Sequence, residues 1–254
     1  MASTSPAGSV QSVSRAFALL EAIADAEDGL PLAVAAESAG LAVPTAHRIL
    51  GTMQKLGYVR QTDKRRYALG AGLIGLGRRA VPPLAEVANP LLERLEGAFH
   101  ETANLAVLDG DLVLYVAQMP SRHRMRMFTE IGRRVLPHST GVGKAMLSTM
   151  PEDRVRALVE RTGLPRFTPA TLVTAEDFIA DLRVSKGRGF AADDSEQEVG
   201  VRCIAVAVTG LEQPTALSVS GPITRITSAI VPRVVKALTE AAAELRAAAL
   251  SQQP

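Results

Sequence analysis

The sequence is poor in the residues that build disulfides, metal clusters and membrane spans. Cys203 is the one cysteine among 254 residues, which excludes an internal disulfide and a cysteine-based zinc cluster. No run approaches about eighteen uncharged apolar residues, and residues 1–9 lack the basic start and apolar stretch of a secretion signal. We therefore expect a cytoplasmic protein with no membrane partner.

Neither sign of charge is in large excess. The 28 Lys and Arg residues against 26 Asp and Glu give a net charge of +2, which excludes a uniformly basic coat and an acidic disordered tail. Positive charge is nevertheless concentrated between residues 44 and 67, where six basic residues are accompanied by only one acid, Asp63. A functional charge must therefore be local.

The chain is longer than a typical domain of about 150 residues, and Pro82-Pro83 disfavours an uninterrupted helix. We predict a first domain over residues 1–70, with residues 1–9 disordered, a linker over residues 71–84 and a second domain over residues 85–254.

The first domain shows three helical patterns followed by a hairpin. Behind Ser9 and Ser12, either of which would cap a helix, lies an apolar stripe of Val10, Val13, Phe17, Leu20 and Ile23. A second stripe of Leu32, Ala35, Ala36 and Ala39 stops at Gly40, and a third helix begins near Pro44 with Ile49, Met53 and Leu56 facing the core. Short strands are predicted at Tyr58–Gln61 and Arg66–Leu69.

The third helix has an outward face of Thr45, Arg48, Thr52 and Lys55, and the hairpin tip carries Lys64, Arg65 and Arg66. A helix fits the major groove of DNA, arginine bonds guanine edges or phosphate, and a basic hairpin reaches the backbone or minor groove. For the helix alone, an ordinary solvated face is the favoured interpretation. The helix order and the basic tip together favour DNA binding; His47 is ambiguous because surface histidines are common.

The second half predicts an α+β domain. A helix is expected at Leu84–His100, and strands at Thr102–Leu108 and Leu112–Met119 flank the turn Asp109-Gly110. Further strands are predicted at residues 125–129, 189–192, 204–208 and 216–220, and helices at residues 143–150, 152–160, 175–186 and 228–250. The last helix has an apolar stripe of Ile230, Val234, Leu238, Ala241 and Leu245, which packs on the domain core or on a partner, and core packing is favoured.

Gly141-Val142-Gly143-Lys144 resembles a phosphate loop, but His138 stands where the pattern needs glycine and no hydroxyl residue follows Lys144. Two interpretations remain: a helix start whose free N–H groups hold a carboxylate, or an ordinary capped helix. Asp193, Cys203, Ser218 and Ser220 lie on or beside predicted strands, where structural roles are favoured for each residue alone.

Blocks along nearly the whole chain resemble the isocitrate lyase regulator (IclR) family of bacterial transcription factors. In the first half they are Ser12-Val13-Ser14-Arg15-Ala16, Thr45-Ala46-His47-Arg48-Ile49-Leu50, Leu56-Gly57-Tyr58-Val59 and Tyr67-Ala68-Leu69-Gly70. In the second half they are Gly189 to Glu196, Gly200 to Ala205 and Leu217 to Pro222.

The resemblance implies a winged helix-turn-helix domain joined by a linker helix to a GAF-like domain that binds an effector and oligomerises. It implies a non-enzymatic regulator, without cofactor or metal, that binds double-stranded operator DNA as a homodimer or homotetramer. The implied DNA-binding residues are Arg15, Thr45, His47, Arg48, Thr52, Lys64, Arg65 and Arg66. The implied effector-binding residues are Met127, Val135, Gly141, Val142, Asp193, Cys203, Ser218 and Ser220, around a small organic acid or its derivative.

Two departures and two alternatives accompany this interpretation. Ala42-Val43-Pro44 replaces a frequent Pro-Lys-Ser, and Thr209-Gly210 replaces a usual aromatic-acid pair. One alternative is a DNA-binding protein without effector. The other is a hydrolase, with Cys203 as nucleophile and His138 or His100 as base, or with Ser139 as nucleophile, but no nucleophile motif is present.

Overall fold

A computed structural model of the chain describes residues 10–26, 28–80, 83–125 and 130–251. Its contacts divide the chain into two compact units, Met1–Val81 and Pro82–Pro254. The division falls inside the segment predicted as a linker. Residues 1–9, which were predicted to be disordered, lie outside the described residues. The same holds for the strand predicted at residues 125–129, of which only Met125 is described.

The first unit is a winged helix-turn-helix. Its elements are α1 (Gln11–Ala24), α2 (Leu32–Ser38), α3 (Val43–Lys55), β1 (Val59–Gln61), β2 (Tyr67–Leu69) and α4 (Gly72–Ala80). β1 and β2 pair antiparallel, and Leu30 bridges to Tyr67 through two backbone hydrogen bonds of 2.8 and 2.7 Å. The predicted order of three helices and a hairpin is confirmed, and α4 makes the linker helical.

The apolar stripe predicted for α1 was wrong in three of its members. Leu19 and Ile23 are buried, whereas Val10, Val13 and Phe17 are between 54% and 65% exposed. Apolar residues surround much of this helix, so its periodicity fits two neighbouring stripes, and the contacts with α2 and α3 decide which one is buried. The predicted cap at Ser12 was also wrong, because the helix begins at Gln11 behind Val10.

α3 confirms the outward face and corrects the inward one. Its buried residues are Ala46, Leu50 and Met53, with Ile49 packed at the edge of the core. Leu56, predicted in the core, is 63% exposed because it follows the last helical residue, Lys55. Pro44 lies in the first turn, where its missing N–H costs no hydrogen bond.

The second unit is an antiparallel sheet between two layers of helices, which confirms the α+β class. Its elements are α5 (Pro83–Phe99), β3 (Thr102–Asp109), β4 (Leu112–Met119), β5 (Arg134–Val135), a 3-10 turn (Pro137–Ser139), α6 (Gly141–Leu147), α7 (Glu152–Thr162), α8 (Ala175–Arg188), β6 (Ala191–Asp194), β7 (Val201–Val208), β8 (Thr215–Pro222) and α9 (Val231–Ser251). The strand order is β5-β4-β3-β8-β7-β6, with every described pairing antiparallel.

The sheet has two different faces because side chains alternate along each strand. Large residues such as Leu105, Ile204 and Leu217 pack against α5 and α9. The opposite face carries small residues, among them Ala205 and Ala216, and is covered by α6 and its neighbours. Small side chains let α6 approach the strands closely, and all seven of its residues are buried.

Several predicted boundaries shift in the second unit. β6 begins at Ala191 instead of residue 189, because Gly189 ends α8 in the left-handed conformation with φ of 79°. α6 begins at Gly141, two residues before its predicted start. The short β5 was not predicted. Within the described part of the chain, no helix is both long and apolar enough to cross a bilayer.

Candidate nucleic-acid interface and ligand cavity

The outer surface of α3 has the composition of a DNA-reading helix. His47, Arg48, Thr52 and Lys55 are exposed, and Thr45 is half-buried. Thr52 donates its hydroxyl to the Arg48 carbonyl oxygen at 3.0 Å, a bond within the helix. In the part of the chain that the structure describes, the Arg48 guanidinium has no hydrogen bond or ion pair, so all its donors are free for a base edge or a phosphate.

The hairpin tip presents two of its three predicted cations to solvent. The Thr62 amide donates to the Arg66 carbonyl at 2.8 Å, and Arg65 has a positive φ of 56°, which turns the chain back. Lys64 and Arg65 are exposed on this tip. Arg15, the remaining predicted DNA contact, is half-buried on α1.

Arg66, the third predicted cation of the tip, makes its hydrogen bonds inside the first unit. Its Nε and Nη2 donate to the Gly29 carbonyl oxygen at 3.1 and 2.9 Å, and its side chain is half-buried. This contact ties the hairpin to the loop between α1 and α2, next to the Leu30 bridge. The sequence grouped Arg66 with Lys64 and Arg65 because a run of cations carries no information about long-range carbonyl partners.

A cavity of about 190 Å³ lies on the small-residue face of the second unit. Its lining combines apolar, hydroxyl and charged side chains: Tyr115, Arg133, Val135, Thr140, Gly141, Asp193, Gln197, Glu198, Cys203 and Ser220. These residues come from β4 to β8 and the segments between them, so that distant parts of the chain meet there. Converging polar groups beside apolar side chains in a concave site are typical of small-molecule binding.

Five of the predicted effector residues line this cavity: Val135, Gly141, Asp193, Cys203 and Ser220. Val142 and Ser218 are fully buried outside the lining, and Ser218 accepts a hydrogen bond from Asn104. Met127 lies outside the described residues. Which of these residues contact an effector stays a prediction.

Sequence reasoning missed Tyr115, Arg133, Thr140, Gln197 and Glu198. Tyr115 is part of an apolar strand and resembles any core residue there. The β3–β4 bulge at Leu105 and Ala106 changes which side chains of β4 share a face, and no sequence signal marks it. Thr140 was detectable, because a hydroxyl residue directly before Gly141 predicts the observed cap, a 3.2 Å bond from the Gly143 amide to its Oγ1.

Two glycines explain the motif that resembles a phosphate loop. A β-carbon on Gly143 would come within 2.2 Å of the Pro137 carbonyl oxygen, and one on Gly141 within 2.7 Å of Cys203 Sγ. Glycine is therefore required here for close packing of α6 against the 3-10 turn and β7. The interpretation as an ordinary capped helix start accounts for this motif.

Asp193 contributes a buried carboxyl group to the cavity lining. Burial raises the pKa of its carboxyl from 3.8 to about 7, and the negative charge of Glu196 acts in the same direction. The amides of Glu196 and Gln197, which donate to Asp193 Oδ1 at 2.7 and 3.3 Å, and the positive charge of Lys144 lower it in part. The carboxyl therefore changes protonation close to neutral pH.

The chemistry of Cys203 argues against a nucleophile. Burial and the nearby Asp193 raise the pKa of its thiol to about 11, so it is protonated at neutral pH. The buried His138 bonds through Nε2 to the Pro165 carbonyl at 3.0 Å, and burial lowers the pKa of its imidazole. Across the described residues, no group of three or more His, Cys, Asp or Glu is placed to hold a metal ion.

Comparison with known proteins gives matches to both units. Residues 80–247 match the family described as bacterial transcriptional regulator IclR C-terminal, and residues 12–63 match the IclR helix-turn-helix domain. The transcriptional repressor IclR of Escherichia coli K12 is 38% identical over 232 residues, covering 88% of this chain and 85% of that protein. The acetate operon repressor of Salmonella typhimurium LT2 is 37% identical over 252 residues, covering 96% and 92%.

Solved structures agree on the fold. An IclR transcriptional regulator from Alicyclobacillus acidocaldarius superposes with a TM-score of 0.81 at 27% identity, over 94% of this chain and 98% of that one. An IclR homolog from Microbacterium hydrocarbonoxydans, crystallised with 4-hydroxybenzoate, has a TM-score of 0.79 at 24% identity, over 93% and 98%. With the C-terminal match alone spanning more than half of the sequence, and relatives above 30% identity over almost its full length, this chain belongs to the IclR family of bacterial transcriptional regulators.

Proposed function

We propose that this protein is a repressor that binds a pseudo-palindromic operator as a homodimer or homotetramer, and that a small organic acid in the cavity changes its affinity for DNA. The observation that supports it most is the pairing, in one chain, of an exposed cationic helix face in the first unit with a polar cavity in the second. A regulator needs both a DNA surface and a separate ligand site whose occupancies are coupled.

The lining of the cavity favours an acid that also carries a hydrogen-bond donor. Arg133 is the basic residue of the lining and complements a carboxylate. Tyr115 and Val135 supply apolar contact, and the partly protonated Asp193 pairs best with a hydroxyl group. The volume of about 190 Å³ suits a small ligand. The 4-hydroxybenzoate bound by the Microbacterium hydrocarbonoxydans homolog belongs to this chemical class.

The test titrates the full-length protein into labelled DNA from upstream of its own gene, at fixed salt, with and without a panel of aliphatic and aromatic acids. We expect specific binding that at least one hydroxylated acid shifts. The absence of tryptophan makes a label on the DNA the better probe. Binding that is salt-sensitive, indifferent to DNA sequence and unchanged by every acid would contradict the proposal.

The Asp193→Ala variant locates the response to the acid. It removes the buried carboxylate while leaving the first unit untouched, so DNA binding without acid should equal that of the wild type. The concentration of acid that half-shifts the complex should rise. An unaltered dose curve in this variant would remove the cavity from the proposal.

An exposed apolar strip at the N-terminal end of α1 supports the homodimer. Val10, Val13 and Phe17 follow one another at helical spacing and are all exposed, an arrangement that water disfavours. Ile74 and Leu76 on α4 are exposed as well. We place a contact between subunits on α1, because burying a phenylalanine side chain stabilises an interface substantially.

Phe17→Glu should therefore weaken self-association at least about tenfold, because it places a charge where the proposed contact between subunits buries an apolar ring. Sedimentation equilibrium measures the association constant, and the thermal melting temperature should be nearly unchanged. Val184→Glu, which changes an equally exposed residue of α8, is the matched control. Equal association of the two variants and the wild type would place the subunit contact elsewhere.

A further inference from the structure

We propose that Lys144 is a positioning residue for the cavity: its buried ammonium group holds the loop of residues 195–198, here called the wall loop, in the place where it forms one wall. The inference rests on the proposed function only in taking the cavity as a ligand site. Lys144 does not line the cavity, so it acts through the wall loop and not on the ligand.

The wall loop supplies two residues of the cavity lining, Gln197 and Glu198. It is also bonded to the central carboxylate, because the amides of Glu196 and Gln197 donate to Asp193 Oδ1 at 2.7 and 3.3 Å. A displacement of this loop would therefore open one side of the cavity. It would also remove the two donors that stabilise the ionised form of Asp193.

Lys144 anchors the wall loop from behind. Its Nζ lies 2.6 Å from Glu196 Oε1 and 3.1 Å from Asp181 Oδ2 on α8, and the lysine side chain is fully buried. A buried ammonium without a carboxylate partner is strongly unfavourable. Movement of Glu196 away from this position would therefore leave part of a buried charge uncompensated, which holds the loop in place.

The same lysine joins two walls of the cavity. It belongs to α6, whose first residue, Gly141, lines the cavity. Neutral hydrogen bonds support the wall loop as well, since Thr168 and Thr171 donate their hydroxyls to the carbonyls of Ser195 and Glu196 at 2.6 and 2.7 Å. Charge-assisted bonds are the stronger kind, so Lys144 is the dominant anchor.

Amide hydrogen exchange of the full-length protein tests this proposal without any ligand. In Lys144→Met, exchange of the Glu196 and Gln197 amides should be at least about tenfold faster than in the wild type, while protection of β3 and β8 is retained. Glu196→Gln should act in the same direction with a smaller effect, because Lys144 keeps Asp181 as a partner. It also serves if Lys144→Met does not fold. Lys186→Met, an exposed lysine of α8, is the control.

A second readout uses 4-hydroxybenzoate as the probe in calorimetric titrations. If the wild type binds it, Lys144→Met should weaken binding at least about tenfold and Lys186→Met should not. Unchanged exchange in the wall loop, an equal loss of protection in every strand, or unchanged affinity despite faster exchange would each overturn the positioning role. A wild type that binds neither 4-hydroxybenzoate nor any acid of the panel would count against the proposed function, while the exchange data would still decide the role of Lys144.

Discussion

The Asp193→Asn variant is expected to be more stable than the wild type at pH 8, by up to about 4 kcal/mol in the free energy of unfolding. Burial raises the pKa of this carboxyl from 3.8 to about 7 in the folded chain. An asparagine keeps an oxygen for the Glu196 and Gln197 amides but carries no charge to bury. The expected gain is the free energy of unfolding that the wild type loses at this pH by burying an ionised carboxylate.

The pH dependence follows from the sign of the shift. Below about pH 4 the carboxyl is protonated in both the folded and the unfolded chain, so it contributes no difference. Between that pH and about 7 the unfolded chain releases the proton and the folded chain retains it, so wild-type stability falls as pH rises. Above that range the full cost is present. The variant lacks this decline.

Urea unfolding followed by circular dichroism between pH 4 and pH 8 measures the effect, because the chain has no tryptophan to report by fluorescence. Asp153→Asn, which changes an exposed carboxyl of α7, should retain the pH dependence of the wild type. If the difference in stability between Asp193→Asn and the wild type did not change with pH, the Asp193 carboxyl would have the same pKa in the folded and the unfolded chain. That result would contradict the raised pKa.

Arg48→Ala is expected to weaken operator binding by about 1 to 3 kcal/mol for each subunit on the DNA, and to relax base preference at one position of each half-site. The reason is that the Arg48 guanidinium is exposed on α3 and makes no bond within the described residues, so the loss falls on DNA binding and not on the fold. Melting temperature should be almost unchanged.

Fluorescence anisotropy of labelled operator, at the same salt concentration for all variants, measures the loss. Arg154→Ala removes an arginine that is also exposed, on α7 of the second unit, and it controls for the change in net charge. Equal affinities of the two variants for operator would contradict the assignment of α3 as the recognition helix. A uniform loss on all DNA sequences would show that Arg48 contacts phosphate instead of bases.

Much of the first unit was predictable because its signals are local. Pro44 marks the first turn of α3, helical spacing places Arg48 outward, and a short run of turn residues closes the hairpin with Lys64 at its tip. Local spacing did not predict the role of Arg66, whose carbonyl partner at Gly29 lies 37 residues away. Nor did it predict that Phe17 is exposed, since α1 carries two adjacent apolar stripes.

The cavity shows the same division. The sequence blocks indicated Asp193, Cys203 and Ser220, which do line the cavity. They gave no sign of Tyr115 or Arg133, whose positions depend on a strand bulge and on the short β5 at the sheet edge.

The sequence by itself determined the order of elements in the first unit, the α+β class, the family and the cationic face of α3, because each depends on residues close together in the chain. Only the tertiary structure decided which face of α1 is buried and which strands surround the cavity. It also decided that Lys144 is paired with Glu196 and Asp181 inside the protein. These outcomes depend on contacts between residues far apart in sequence, and burial is the largest of the causes that raise the pKa of Asp193.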